Sequence, residues 1–145
     1  MIDISSTGLT VTLIASTTYP SGITITQFAD DGDSFDFPEL TIAEKAMDIN
    51  GGLVTWSKPS AIDVTMNIVP SSDDDVNLTL LGDMNRVGKG RRSALDEITI
   101  VVVYGDGTTK TLSGGKMTKY MPSGSATSAG RLKSKSFGFT FEDIN

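Results

Sequence analysis

Apolar residues recur at every second position through most of this chain, in runs rich in Val, Ile and Thr, the residues that suit a pleated surface. Residues 9–15 form the first such run. Tyr19-Pro20-Ser21-Gly22 reads as a turn, with Pro setting φ and Gly tolerating positive φ, and 23–28 returns as a second strand. The alternation breaks at 29–38, an acidic loop that carries two rings, Phe35 and Phe37. Strands at 39–47 and 53–57 follow, joined across Asn50-Gly51-Gly52. The cleanest alternation is 61–69. Ile62, Val64, Met66 and Ile68 take one face there and Asp63, Thr65 and Asn67 the other, which predicts one buried face and one wet face.

A helical period surfaces once, at 73–87. Ser72 can cap that helix, Asp73, Asp74 and Asp75 suit the positive end of its dipole, and Gly88 can end it. Val76, Leu80, Met84 and Val87 form the apolar stripe expected to face the core. Residues 98–104 are apolar on both faces and predict a central, covered strand, which Gly105-Asp106-Gly107 turns into 108–112. A strand near 115–121, a polar loop over 122–130 and a last strand over 131–142 complete the chain, the last placing Phe137, Phe139 and Phe141 on one face. Eight or nine strands and one helix predict a mainly β fold, a β-sandwich or split β-barrel with one flanking α-helix. The length suits a single domain over 1–145.

Composition then removes chemistry. With no Cys and no His, thiolate nucleophiles, disulfides, cysteine zinc sites, the commonest general base and the main transition-metal ligands are all missing. The remaining candidates have simpler readings. Residues 82–89 place five residues between their glycines, one too many for a phosphate-binding loop, and sit in a helical pattern. Asp30, Asp31, Asp33 and Asp36 lack the spacing of a calcium loop and read as a solvated segment. The three consecutive acids from Asp73 are explained by the helix start, and Asn77-Leu78-Thr79 matches a glycosylation acceptor only as a three-letter pattern. No pair of acids can be placed face to face for a carboxylate hydrolase. The expectation is a protein that is not an enzyme and uses no cofactor and no metal.

Net charge is -6, unevenly placed. Residues 1–85 hold 13 Asp/Glu against Lys45 and Lys58, a balance of -11, whereas 86–145 hold 5 acids and 10 bases, a balance of +5. The bases are spread through strands and loops and the total is acidic, which disfavours tight DNA binding. Lys89, Arg91 and Arg92 are read instead as a surface opposed to the acidic half of a neighbouring copy. No stretch approaches the roughly 20 apolar residues of a membrane span. The opening Met1-Ile2-Asp3-Ile4-Ser5 lacks the basic and apolar regions of a secretory signal, so a soluble protein made and kept in the cytoplasm is expected.

Three passages carry a resemblance: Phe28-Ala29-Asp30-Asp31-Gly32-Asp33, the stretch from Asn67 through Pro70-Ser71-Ser72 to Leu78, and the closing Lys133-Ser134-Lys135-Ser136-Phe137-Gly138-Phe139-Thr140-Phe141. Together, and in their order along nearly the whole chain, they resemble tail tube proteins of contractile-tailed phages. The resemblance implies a structural subunit, six copies to a ring, with rings stacked into a tube that conducts DNA during ejection while a sheath contracts around it. It further implies a place in the virion tail after assembly in the host cytoplasm. The implied partners are the chain itself, tail sheath, baseplate and tail terminator proteins, with DNA only in transit and no membrane. The opposite charge of the two halves suits the head-to-tail contacts such a filament needs.

Within that reading the loop holding Asp30, Asp31, Asp33, Phe35, Asp36 and Phe37 is expected to leave its own domain and dock on a neighbouring subunit, because a solvated loop seldom needs two large rings. Asp63, Thr65 and Asn67 are expected to face the lumen. The alternative is a monomeric β-sandwich that binds a sugar or an ion, which needs a concave site with converging polar groups.

Overall fold

β-branched and aromatic alternation produces strands wherever one face can be buried. The computed structural model describes all residues except 1, 3, 5, 6, 31, 32, 127 and 129. Its elements are β1 (Thr10–Ala15), β2 (Tyr19–Ile25), β3 (Phe35–Asp36), β4 (Ala43–Met47), β5 (Leu53–Ser57), β6 (Ile62–Ile68), α1 (Asp73–Asn85), β7 (Ile98–Val103), β8 (Thr109–Lys119), β9 (Lys135–Phe141) and β10 (Asp143–Ile144). The fold is mainly β with one helix, as the alternation predicts.

One antiparallel sheet runs β2-β1-β7-β8-β9-β6-β3, with β10 returning to β8, and β4-β5 forms a separate two-stranded ribbon. The long strand β8 joins two layers. Its first part, up to Gly115, pairs with β7, and its last part, from Lys116, pairs with β9. The bend falls at two glycines. Gly114 takes φ 65°, and a side chain on Gly115 would collide with the Phe141 ring. The strands expected separately at 108–112 and 115–121 are thus one bent strand.

A single core fills the space between the layers. Val11, Leu13, Ile98, Ile100 and Val102 enter it from one side, and Val64, Met66, Ile68, Phe137, Phe139 and Phe141 from the other. The three rings of β9 are buried as their alternation predicts, and Phe139 stacks on Phe141 with centroids 6.3 Å apart. β7 is central, flanked by β1 and β8, but only its Ile98, Ile100 and Val102 face is fully buried, while Thr99, Val101 and Val103 are half-buried.

Two sequence expectations shift. Residues 19–22 are strand rather than turn, because β2 is an edge, where Pro20 costs no ladder hydrogen bond. The reversal falls at 16–18, where Asp96 accepts the Thr17 and Thr18 amides.

The helix is inverted relative to expectation and ends at Asn85. Ser72 caps it by accepting from the Asp75 amide. Its buried side is Asp74, Asp75, Leu78, Leu81 and Gly82, whereas Val76, Leu80, Met84 and, beyond its end, Val87 are exposed. Three polar attachments explain the inversion. Asp74 Oδ2 accepts from the Thr26 and Gln27 amides at the end of β2, both at 2.9 Å. Asp75 Oδ1 pairs with Lys135 Nζ of β9 at 2.9 Å in a buried contact, and that ammonium also donates to Thr79. Asn85 donates to the Asp96 carboxylate and accepts from the Asp96 amide. These contacts bind the helix to both layers by polar groups, and Gly82 lets the Tyr120 ring lie against it.

Candidate assembly surfaces

The β4-β5 ribbon stands apart from the core. Every one of its residues except Glu44 is exposed. Its turn is fastened internally, with Asp48 Oδ1 accepting from the Asn50 and Gly52 amides and Gly51 at φ 85°. One face carries Glu44, Ala46, Val54 and Trp56, and the other carries Met47 and Leu53 beside Lys45 and Thr55. Ile49 at the tip is fully exposed. Trp56, the one tryptophan of the chain, is half exposed on this ribbon. The strand expected over 39–47 begins only at Ala43, and nothing in its residues signals that the ribbon lacks a core of its own.

The acidic loop divides into two parts. Phe35 pairs with Met66 across β3 and β6, and its ring meets Phe37 edge-on at 5.0 Å. Both rings are half-buried against the domain's own core rather than standing clear of it. The cause is the open edge of β6, which Phe35 and Asp36 take up. Of the acids, Asp30 lies 3.6 Å from Arg131, Asp33 is exposed and Asp36 is half-buried. Asp31 lies outside the described residues.

Asp63, Thr65 and Asn67 share the outward face of β6, opposite the core. Thr140 of β9 donates to Asp63 at 2.7 Å, and Ser136 donates to Asn67. Lys116 stands level with Thr140 in the next strand, which makes this face polar across three strands. Beside it, at the root of the ribbon, lies an open groove of about 540 Å³ lined in part by Pro59, Ala61, Thr118 and Phe141.

The Asp96 junction is the strongest polar node. This buried carboxylate accepts from the Thr17 and Thr18 amides, the Thr18 hydroxyl and the Asn85 side chain. Burial pushes its carboxyl up, but the bonds from Thr18, Asn85 and Thr17 outweigh that and hold it below the usual carboxylate range. Nearby, the Tyr19 phenol donates to the Asn77 carbonyl, and burial raises it above the ordinary tyrosine range. Among the described residues no group of three or more acids converges as a metal site. Among the described residues no helix is long and apolar enough to cross a membrane. Arg91 of the basic segment donates to the Asp83 carbonyl near the end of α1.

Solved structures share this layered arrangement. The anti-feeding prophage cap, a tube-terminating cap, superposes with a TM-score of 0.55 at 12% identity, covering 100% of this chain and 91% of that one. The sheath/tube terminator of an extracellular contractile injection system, PVC, gives 0.54 at 14% identity, covering 100% and 96%. A chain of the PVC sheath-tube complex gives 0.54 at 12% identity, covering 93% and 86%. The fold is therefore one found among components of contractile tail-like machines. No curated protein matches the sequence. A family model does, over residues 2–145, and the chain belongs to that family, described as tail fiber protein gp32. It is a phage tail protein.

Proposed function

We propose that this chain is a structural subunit of a phage tail tube, assembling with copies of itself into hexameric rings that stack around a bore for DNA ejection. The observation that carries this reading is the β4-β5 ribbon. A lone two-stranded hairpin is marginal in water, and this one exposes Trp56, Val54, Met47 and Leu53 with no core beneath them. Such a surface is built to be covered. The sheet supports the same reading. β2 offers an unpaired edge at one end, and residues 62–64 of β6 lie beyond the reach of β3 at the other. Edge pairing between copies continues the sheet from one subunit to the next.

In the ring the polar face holding Asp63, Thr65 and Asn67 lines the lumen. Its mixed, hydrogen-bonded groups leave passing phosphates without a strong grip. The acids of loop 29–38 face the basic C-terminal half of the adjacent copy and set orientation more than affinity. Sixfold symmetry has a parallel in the 6-fold symmetrised anti-feeding prophage baseplate, which shares the fold with a TM-score of 0.52 at 10% identity. Sheath, baseplate and terminator proteins are the partners that this reading implies. Negative-stain microscopy and sedimentation of the purified protein test it. Rings or tubes are expected, and a clean monomer at high concentration across a salt series sinks it.

A further inference from the structure

We propose that the β4-β5 ribbon of one copy seats on the outer stripe of α1 in another copy, with Trp56 and Val54 lying along Leu80 and Met84. The proposal rests on the self-assembly reading and names its contact. Both surfaces belong to this chain and both are uncovered within it. Trp56 is 50% exposed, Leu80 48% and Val87 72%. The stripe is no packing failure, because α1 is bound to both layers through Asp74, Asp75 and Asn85. It is a held platform of apolar residues one helical turn apart.

Dimensions agree. Val76 to Met84 spans about 12 Å at the helical rise, and a five-residue strand of the ribbon spans about 14 to 17 Å. Charge leaves the contact an apolar one. Residues 43–58 hold Glu44 and Asp48 against Lys45 and Lys58, and Glu44 is already paired with Lys58 at 3.3 Å. Placement gives the contact its sense. The ribbon joins β6 at its first residue, Ile62, and α1 follows its last, Ile68, so each copy presents a ribbon at one end of β6 and a receptor at the other. Such a contact is heterologous and propagates from copy to copy.

Disulfide trapping suits a chain with no cysteine of its own. Trp56→Cys and Leu80→Cys are prepared separately, mixed under assembling conditions and oxidised, with Lys110→Cys, exposed on β8, replacing Leu80→Cys as the control. A disulfide dimer is expected from the first mixture and not from the control. In parallel, Leu80→Glu with Met84→Glu should melt like the unmodified protein yet lose assembly, since both positions are exposed. If tubes form without that disulfide, or form from the double glutamate variant, the docking is overturned while self-assembly stands. Tubes in which Leu80→Cys stays open to a maleimide assign the stripe to a protein of different sequence and overturn it too. An unmodified protein that remains monomeric removes both proposals.

Discussion

Replacing Asp96 tests whether one carboxylate holds the helix end, the β1-β2 reversal and the entry to β7 together. Asp96→Ala strands the Thr17 and Thr18 amides and the Asn85 amide group, all of which lose a charged acceptor. A hydrogen bond to a charged group contributes about 1.5 to 3 kcal/mol, and such terms within one node do not add. Thr17 is exposed, so water replaces part of what is lost there. The net cost should be about 3 kcal/mol, or roughly 10 °C in Tm for a domain of this size. Asp96→Asn is the finer probe. It keeps one acceptor oxygen but points an amide nitrogen at the Asn85 donor, whose own oxygen is already engaged by the Asp96 amide.

The pH dependence carries its own sign. The folded Asp96 carboxyl lies below its ordinary range, so its stabilisation is fully present above the unfolded carboxylate pKa, near 4, and is lost as pH falls through the lower folded value. Unfolding midpoints in urea, measured from pH 6 down to about pH 2, should therefore fall more steeply for the unmodified protein than for Asp96→Asn. The two curves should converge at the acid end. Parallel curves, or an Asp96→Ala protein that melts within a degree or so of the unmodified one, would falsify the assignment of Asp96 as a structural junction.

Two further outcomes concern packing. Gly82→Ala improves helix propensity by about 1 kcal/mol, yet its new methyl meets the Tyr120 ring near the ring's root, and overpacking there costs about 1 to 3 kcal/mol. A lower denaturation midpoint is expected, and a raised one shows that Tyr120 moves aside freely. Phe35→Ala with Phe37→Ala should lower the stability of the subunit itself by roughly 3 kcal/mol, since both rings rest on its own core. A double variant that melts unchanged but fails to assemble assigns the rings to a neighbour instead.

The strands of the core were legible because water touches only one of their faces. In β6 the alternation of Val64 and Met66 with Asp63, Thr65 and Asn67 records that difference residue by residue, and in β9 Phe137, Phe139 and Phe141 alternate with the smaller Ser136, Gly138 and Thr140. The ribbon carries apolar residues too, but alternation says nothing about what covers a face, so Trp56 and Val54 read like any strand. The acidic loop hid its packing for a related reason. Its Asp residues mark solvent, and only the open edge of β6 shows where Phe35 belongs. Pro20 signals a turn by local chemistry, and the edge position that makes it acceptable in β2 is a property of the sheet. The assembly contacts themselves join separate copies, and a single chain records only the surfaces left uncovered.

The inversion of α1 shows how stability and assembly can draw on different residues of one short helix. A helix that fastens itself by its apolar stripe has little left to offer outside. Here the inward side needs only Leu78 and Leu81 for the core, because Asp74 satisfies two amides at the end of β2, Asp75 pairs with Lys135 and Asn85 meets Asp96. Such buried polar contacts are poor sources of net stability but demanding in geometry, since leaving any member unpaired is costly. They therefore fix the helix in one orientation while sparing Val76, Leu80 and Met84. The same residues whose helical spacing predicts a core face become the surface that can change with a partner while the core remains as it is.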